Sequence, residues 1–208
     1  MKKNTFRIIF NAVLAVAVFT VWVLNFVLWK GSWADLRYFT VLSNLLAGVT
    51  AVIWIVVYAI KRRTPLWLTI LKYVATVSVF VTFLVILAFL GPIHGYGRVY
   101  SGTNLYYHLF IPLFAIAEEV LFGEDVSFKQ SLFAVAPPLL YGIGYLANCL
   151  VNGIGEEWAT RNDWYGFLLW GYGVGALVFI VICAMAWGLG LALRALRKPA
   201  RKIPWENE

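Results

Sequence analysis

The chain has 208 residues, 62% of them hydrophobic and only 13% charged, with a mean hydropathy of +0.80. Soluble domains run roughly 45–50% apolar and about 25% charged, so water-soluble enzyme, nucleic-acid binder and disordered chain are poor readings. The net charge of +7 does not restore nucleic acid as a partner, because the basic residues follow a membrane pattern. Cys149 and Cys183 lie in apolar stretches and offer neither a disulfide framework nor metal-ligand spacing. No metal and no cofactor is expected.

A membrane-crossing helix needs about 20 mostly apolar residues. Six such runs, at 8–29, 37–60, 66–90, 105–122, 132–152 and 164–193, predict an all-α polytopic membrane protein: one domain, 1–208, of six transmembrane helices. The first run follows Lys2, Lys3 and Arg7 as a signal peptide would. It is too long for one and has no small-x-small site before Trp29, so it reads as an uncleaved helix.

Alternating the spans with the N-terminus inside places twelve Lys and Arg on the inner side (Lys2, Lys3, Arg7, Lys61, Arg62, Arg63, Lys129, Arg194, Arg197, Lys198, Arg201, Lys202). Four fall outside (Lys30, Arg37, Arg98, Arg161), and Lys72 lies within the third span. That asymmetry predicts both termini in the cytoplasm, with the basic excess serving topology and anionic lipid. Tryptophans at segment ends (Trp29, Trp33, Trp67, Trp158, Trp164, Trp205) read as interface anchors, and Glu156-Glu157…Asp163 as a solvated outer loop.

Polar groups are costly in hydrocarbon, so those inside the spans carry the information. In the second span, Thr40, Ser43 and Asn44 fall at i, i+3 and i+4, one helix face near the outer surface. Helix–helix hydrogen bonding is the plainer account of Ser43 and Asn44. His108 lies at similar depth in the fourth span, and Pro112, one turn on, should free a backbone carbonyl beside it. Lys72 should pair with Glu118 or Glu119 near the inner ends of the third and fourth spans, or else snorkel to the surface. In the fifth span, Tyr141, Tyr145, Asn148 and Asn152 form a stripe expected to face a cavity, above a helix interruption at Pro137-Pro138.

The chain holds no G-x-S-x-G, H-E-x-x-H, phosphate-binding loop or dinucleotide turn. What remains is a hydroxyl, Thr40, and an imidazole, His108, on different helices at one depth. A threonine becomes a useful nucleophile only beside a base, and histidine suits that role near neutral pH.

Three elements carry a family likeness: Gly31-Ser-Trp33 with Leu36-Arg-Tyr-Phe-Thr40, Asn104-Leu-Tyr-Tyr-His108 followed by a proline, and Asp163-Trp-Tyr-Gly-Phe167. With six spans, the chain resembles the androgen-induced-protein/ADTRP superfamily and its bacterial six-pass relatives. That resemblance implies an intramembrane threonine hydrolase of fatty acid esters of hydroxy fatty acids, with Thr40 as nucleophile and His108 as base. It also implies a bacterial plasma membrane and partners limited to membrane lipids and an acyl-ester substrate. Ser43, Asn44, Tyr145, Asn148 and Asn152 would line the substrate pocket. Here Thr40 is followed by Val-Leu-Ser-Asn and the proline stands four residues after His108, where those hydrolases carry an acidic residue and a spacing of five. The competing reading is a non-catalytic lipid or small-molecule carrier, or a sensor, in which Lys72 and Glu118/Glu119 relay protons.

Overall fold

The computed structural model describes residues 3–28, 31–155, 162–168 and 170–200, the side chains of 198–200 excepted. Lys2, Trp29, Lys30, Glu156, Glu157, Trp158, Arg161, Arg201, Lys202 and Trp205 lie outside the described residues. Six main helices follow in order: α1 (Lys3–Leu28), α2 (Phe39–Lys61), α3 (Leu66–Val85), α4 (Ile111–Phe122), α5 (Ala136–Asn152) and α6 (Tyr172–Ala200). Among the described residues every regular element is helical.

Five helical stretches are long and apolar enough to cross a membrane: Lys3–Leu28, Phe39–Lys61, Leu66–His94, Phe128–Asn152 and Tyr172–Arg197. They turn large apolar side chains outward, with Val27 70%, Ile60 75%, Leu140 69% and Val151 82% exposed. A bundle in water would cover such surface, so these helices are compatible with an integral, multi-pass membrane protein.

The fourth expected span departs from this pattern. Residues 105–122 run through a π turn (Tyr106–Phe110) into α4, which has only 12 residues. Pro112 has no N–H for the His108 carbonyl four residues back, and its ring crowds that carbonyl. The helix widens instead, and the Ile111 N–H bonds the Tyr106 carbonyl. Ahead of Pro92, α3 does the same through a π turn at Ile86–Leu90, where the Gly91 N–H reaches the Ile86 carbonyl. The expected interruption at Pro137-Pro138 is a helix start: α5 opens there after a 3-10 turn (Leu132–Val135), with proline in its first turn, where no N–H is needed. The sixth expected span starts late, because 164–168 forms turns and the helix begins at Tyr172.

Central to the bundle is α3, packed on α2, α4 and α6 and buried continuously over 72–79. Glycines set two of the closest approaches. A Cβ on Gly48 of α2 would lie 2.8 Å from Val18 of α1, and one on Gly142 of α5 would lie 2.6 Å from the Phe179 ring of α6. Dispersion contacts at such small-residue seams are a main source of helix association in lipid.

Candidate active site

Both π turns contribute to one cavity of about 400 Å³. Ile86 and Leu90 line it from the first turn, and Tyr107 and His108 from the second. Asn25 of α1, Asp35, Tyr38 and Asn104 add polar wall, while the exposed His94 and Arg98 sit on its rim. Thr40, in the first turn of α2, lines the same cavity.

Local sequence explains why α2 begins there. The Asp35 carboxylate accepts from the Ser32 N–H and from Asn25 Nδ2, both at 3.0 Å, fixing a 3-10 turn (Trp33–Arg37) against α1. The Phe39 N–H, which has no intrahelical acceptor, donates to the Tyr165 hydroxyl at 2.9 Å. The Thr40 hydroxyl itself has no hydrogen-bond partner among the described residues. His108 is 9% exposed, and its Nδ1 lies 2.6 Å from the Val99 carbonyl oxygen. A carbonyl only accepts, so Nδ1 carries the proton and Nε2 of the neutral ring keeps a lone pair. No hydrogen bond joins Thr40 to His108 among the described residues. Both nonetheless line the same cavity.

Asn44 ties the two elements together. Its fully buried amide donates to the Thr40 carbonyl (2.7 Å) and to the Tyr107 carbonyl (3.1 Å), so one side chain joins the start of α2 to the turn bearing His108. Ser43 faces α3, with its Oγ 3.0 Å from Thr82 Oγ1. Neither residue lines the cavity. Both sit one turn deeper than Thr40, Ser43 against α3 and Asn44 against the π turn at Tyr106–Phe110.

The stripe on α5 does not wall this cavity either. Tyr145 is buried, donates to the Asp163 carboxylate and accepts from the Tyr165 N–H. Asn152 donates to Asn148 at 2.9 Å, and the Asn152 carbonyl accepts from Asn162. Tyr141 donates to the Arg37 carbonyl and accepts from Trp164. The stripe therefore braces the turns at 162–168, which carry Tyr165 to the start of α2. Trp164 belongs to this brace, so packing as well as anchoring accounts for it. Sequence reasoning missed Asn25, Asp35, Tyr107, Arg98 and Tyr165 as cavity residues. One cue was present: His94 follows Pro92 by two residues and His108 precedes Pro112 by four, so both histidines flank proline-driven turns.

A second cavity, of about 50 Å³, adjoins the first and shares Thr40, Ile86, Leu90 and Tyr165 with it. Its remaining wall is mostly apolar, with Phe39, Val81, Val85, Phe167, Phe179 and Ile182 among its residues, and it includes Tyr141, the one member of the α5 stripe that does face it. Thr40 thus stands where a cavity of mixed lining meets an apolar slot.

The charged residues gather elsewhere. Lys72 (2% exposed) lies 2.8 Å from Glu118 (0%), so the expected pair forms and Lys72 does not snorkel. Arg7 reaches Glu118 at 3.3 Å and Glu124 at 3.0 Å, and Asn11 bonds both Lys72 and Glu118. Glu119 pairs with Arg197, whose guanidinium also donates to the Glu124 carbonyl at 2.5 Å. Arg7 and Arg197, counted by position as surface charges, are in fact 3% and 1% exposed. None of these residues lines either cavity.

Among the described residues no group of three or more His, Cys, Asp or Glu is placed to hold a metal ion. No family model, curated protein or solved structure matches the chain.

Proposed function

We propose that this chain is a six-pass membrane protein with both termini cytoplasmic. In this reading it hydrolyses lipid esters, such as fatty acid esters of hydroxy fatty acids, in the cavity that holds Thr40 and His108. The observation that carries it is that an unpartnered hydroxyl and a histidine whose tautomer leaves Nε2 basic line one cavity, beside an apolar slot. Nε2 takes the Thr40 proton as Oγ1 bonds to the ester carbonyl carbon. The tetrahedral intermediate then breaks its C–O bond, and His108 returns the proton to the leaving alcohol. Water, activated by the same nitrogen, releases the fatty acid and restores Thr40. The helical stretch 104–122 completes the sixth crossing, with its shortfall in regular helix made up by the π turn. The charged cluster is better suited to clasping helices than to relaying protons, since each charge has an opposite neighbour.

Purified protein incubated with branched fatty acid esters and with a fluorophosphonate probe tests the reading. Hydrolysis and labelling in wild type, both lost in Thr40→Ala, are expected. Equal inertness of the two proteins toward both reagents overturns it and leaves the carrier or sensor reading.

A further inference from the structure

Ester attack by Thr40 develops a charge that neither Thr40 nor His108 meets. As Oγ1 bonds to the carbonyl carbon, an electron pair moves onto the carbonyl oxygen, and that oxygen needs a donor. Several donors in the cavity wall are committed elsewhere: Asn25 Nδ2 to Asp35, and Trp164 Nε1 to Tyr141. The Tyr107 hydroxyl oxygen is buried away from the open space. Among the described residues, Thr40, Ile86, Leu90 and Tyr165 line both the larger cavity and the apolar slot. Of these, only Tyr165 brings a second polar side chain to Thr40.

The chemistry around Tyr165 leaves its hydroxyl to donate. Its oxygen accepts from the Phe39 N–H at 2.9 Å and faces the Thr40 N–H, two amides of the first turn of α2. A phenol keeps its proton at neutral pH, so with its oxygen engaged the group has a proton left to offer. Two N–H donors at a helix N-terminus polarise that O–H bond and strengthen it as a donor. The acceptor beside it is Tyr141 Oη, which already accepts from Trp164 Nε1 at 2.9 Å. An oxyanion is a much stronger acceptor than a phenol oxygen. The Tyr165 N–H donates to Tyr145 Oη at 3.1 Å, and Tyr145 donates to the buried Asp163, so the turn holds the residue in place.

We infer that Tyr165 is a catalytic residue of this site, its hydroxyl donating a hydrogen bond to the ester carbonyl oxygen as that oxygen becomes negative. No proton is transferred there. When the intermediate collapses, the electron pair re-forms the C=O bond, the leaving oxygen departs with the proton held by His108, and Tyr165 keeps its own. This role deepens the proposed ester hydrolysis and rests on it.

The test uses the purified full chain in detergent micelles, with thermal unfolding to check each variant. A long-chain trifluoromethyl ketone captures a nucleophilic Oγ1 as an oxyanion-bearing adduct, while the matching ether has the same chain and no carbonyl. In Tyr165→Phe, kcat for a palmitoyl ester should fall about 10²–10³-fold with KM little changed. Ketone affinity should fall by a similar factor, and ether affinity should hold. A purely structural role, felt through the lost Phe39 contact, would weaken ketone and ether alike, and that result overturns the inference. Should Tyr165→Phe fail to fold, 3-fluorotyrosine at position 165 keeps the contact and donates more strongly. It should tighten the ketone and leave the ether unchanged, and an unmoved ketone overturns the inference. If wild type neither hydrolyses the ester nor prefers ketone to ether, the hydrolase reading falls and this inference with it. If Thr40-dependent hydrolysis persists at full rate in Tyr165→Phe, this inference alone falls.

Discussion

At one end of the bundle, Arg7, Lys72 and Arg197 meet Glu118, Glu119 and Glu124, and each charge has an opposite neighbour. At the other end, the half-buried Thr40 hydroxyl and the buried Tyr107 hydroxyl have no partner among the described residues. Buried polar groups are normally satisfied, because an unmade hydrogen bond costs more than a made one contributes. The charged end reads as structure, joining α1, α3, α4 and α6 through charges that would be untenable singly, although Tyr73 Oη and Glu119 Oε2 there have no hydrogen-bond partner among the described residues. The other end surrounds a cavity, which Thr40, Tyr107 and His108 all line. Helix geometry follows the same division: the regular part of α3 carries the charged end, and the two π turns lie at the cavity end.

Substitutions at the two ends should separate activity from stability. The largest effect is expected from Thr40→Ala and His108→Ala, which should lower ester hydrolysis by about 10²–10⁴-fold, with little change in thermal unfolding for Thr40→Ala and about 1–3 kcal/mol lost in His108→Ala, which strands the Val99 carbonyl. A large drop in unfolding temperature would blur the contrast between the ends. Next comes Glu118→Ala, which leaves the buried Lys72 without its carboxylate while Arg7 keeps Glu124, and should destabilise the fold by about 3–5 kcal/mol in denaturant titrations. Adding Lys72→Met to that chain should recover part of the loss, and no recovery would mean that the two do not act as a pair. Asn44→Ala sits between the regions. Losing its two donated bonds should cost about 1–3 kcal/mol and slow hydrolysis about tenfold, seen in kcat with KM unchanged. The smallest effect is expected for Tyr107→Phe: a hydroxyl without a partner contributes no bond, so unfolding should shift by less than about 0.5 kcal/mol. A clear loss of stability there would show that the hydroxyl is satisfied after all.

Much of this was legible in the order of residues, for identifiable reasons. Long apolar runs separated by polar breaks suffice to place five of the expected spans, since length and hydropathy are local properties. The fourth is different because a single residue, Pro112, disrupts its backbone hydrogen bonds. The Lys72–Glu118 pair was foreseeable from the cost of an isolated charge in hydrocarbon. Arg7 and Arg197 were not, because a charge near a helix end looks solvated until the neighbouring helices are known to close over it. On α2, spacing put Thr40, Ser43 and Asn44 on one face. Only tertiary packing decides that Thr40 meets a cavity while Asn44, one turn deeper, binds two backbone carbonyls. The α5 stripe shows the converse. Its i, i+4, i+7 and i+11 pattern signals an inward face, yet those side chains are taken up by the turns at 162–168, whose hydrogen bonds no periodicity reveals.

The central claim, that Thr40 is a nucleophile in this cavity, is tested most directly by trapping its acyl intermediate. Protein mixed with a palmitoyl ester of hydroxystearate, quenched in acid and digested, should yield a Thr40-bearing peptide heavier by one palmitoyl group, with no such adduct in Thr40→Ala. An adduct on another residue, or hydrolysis that continues in Thr40→Ala, would contradict the account.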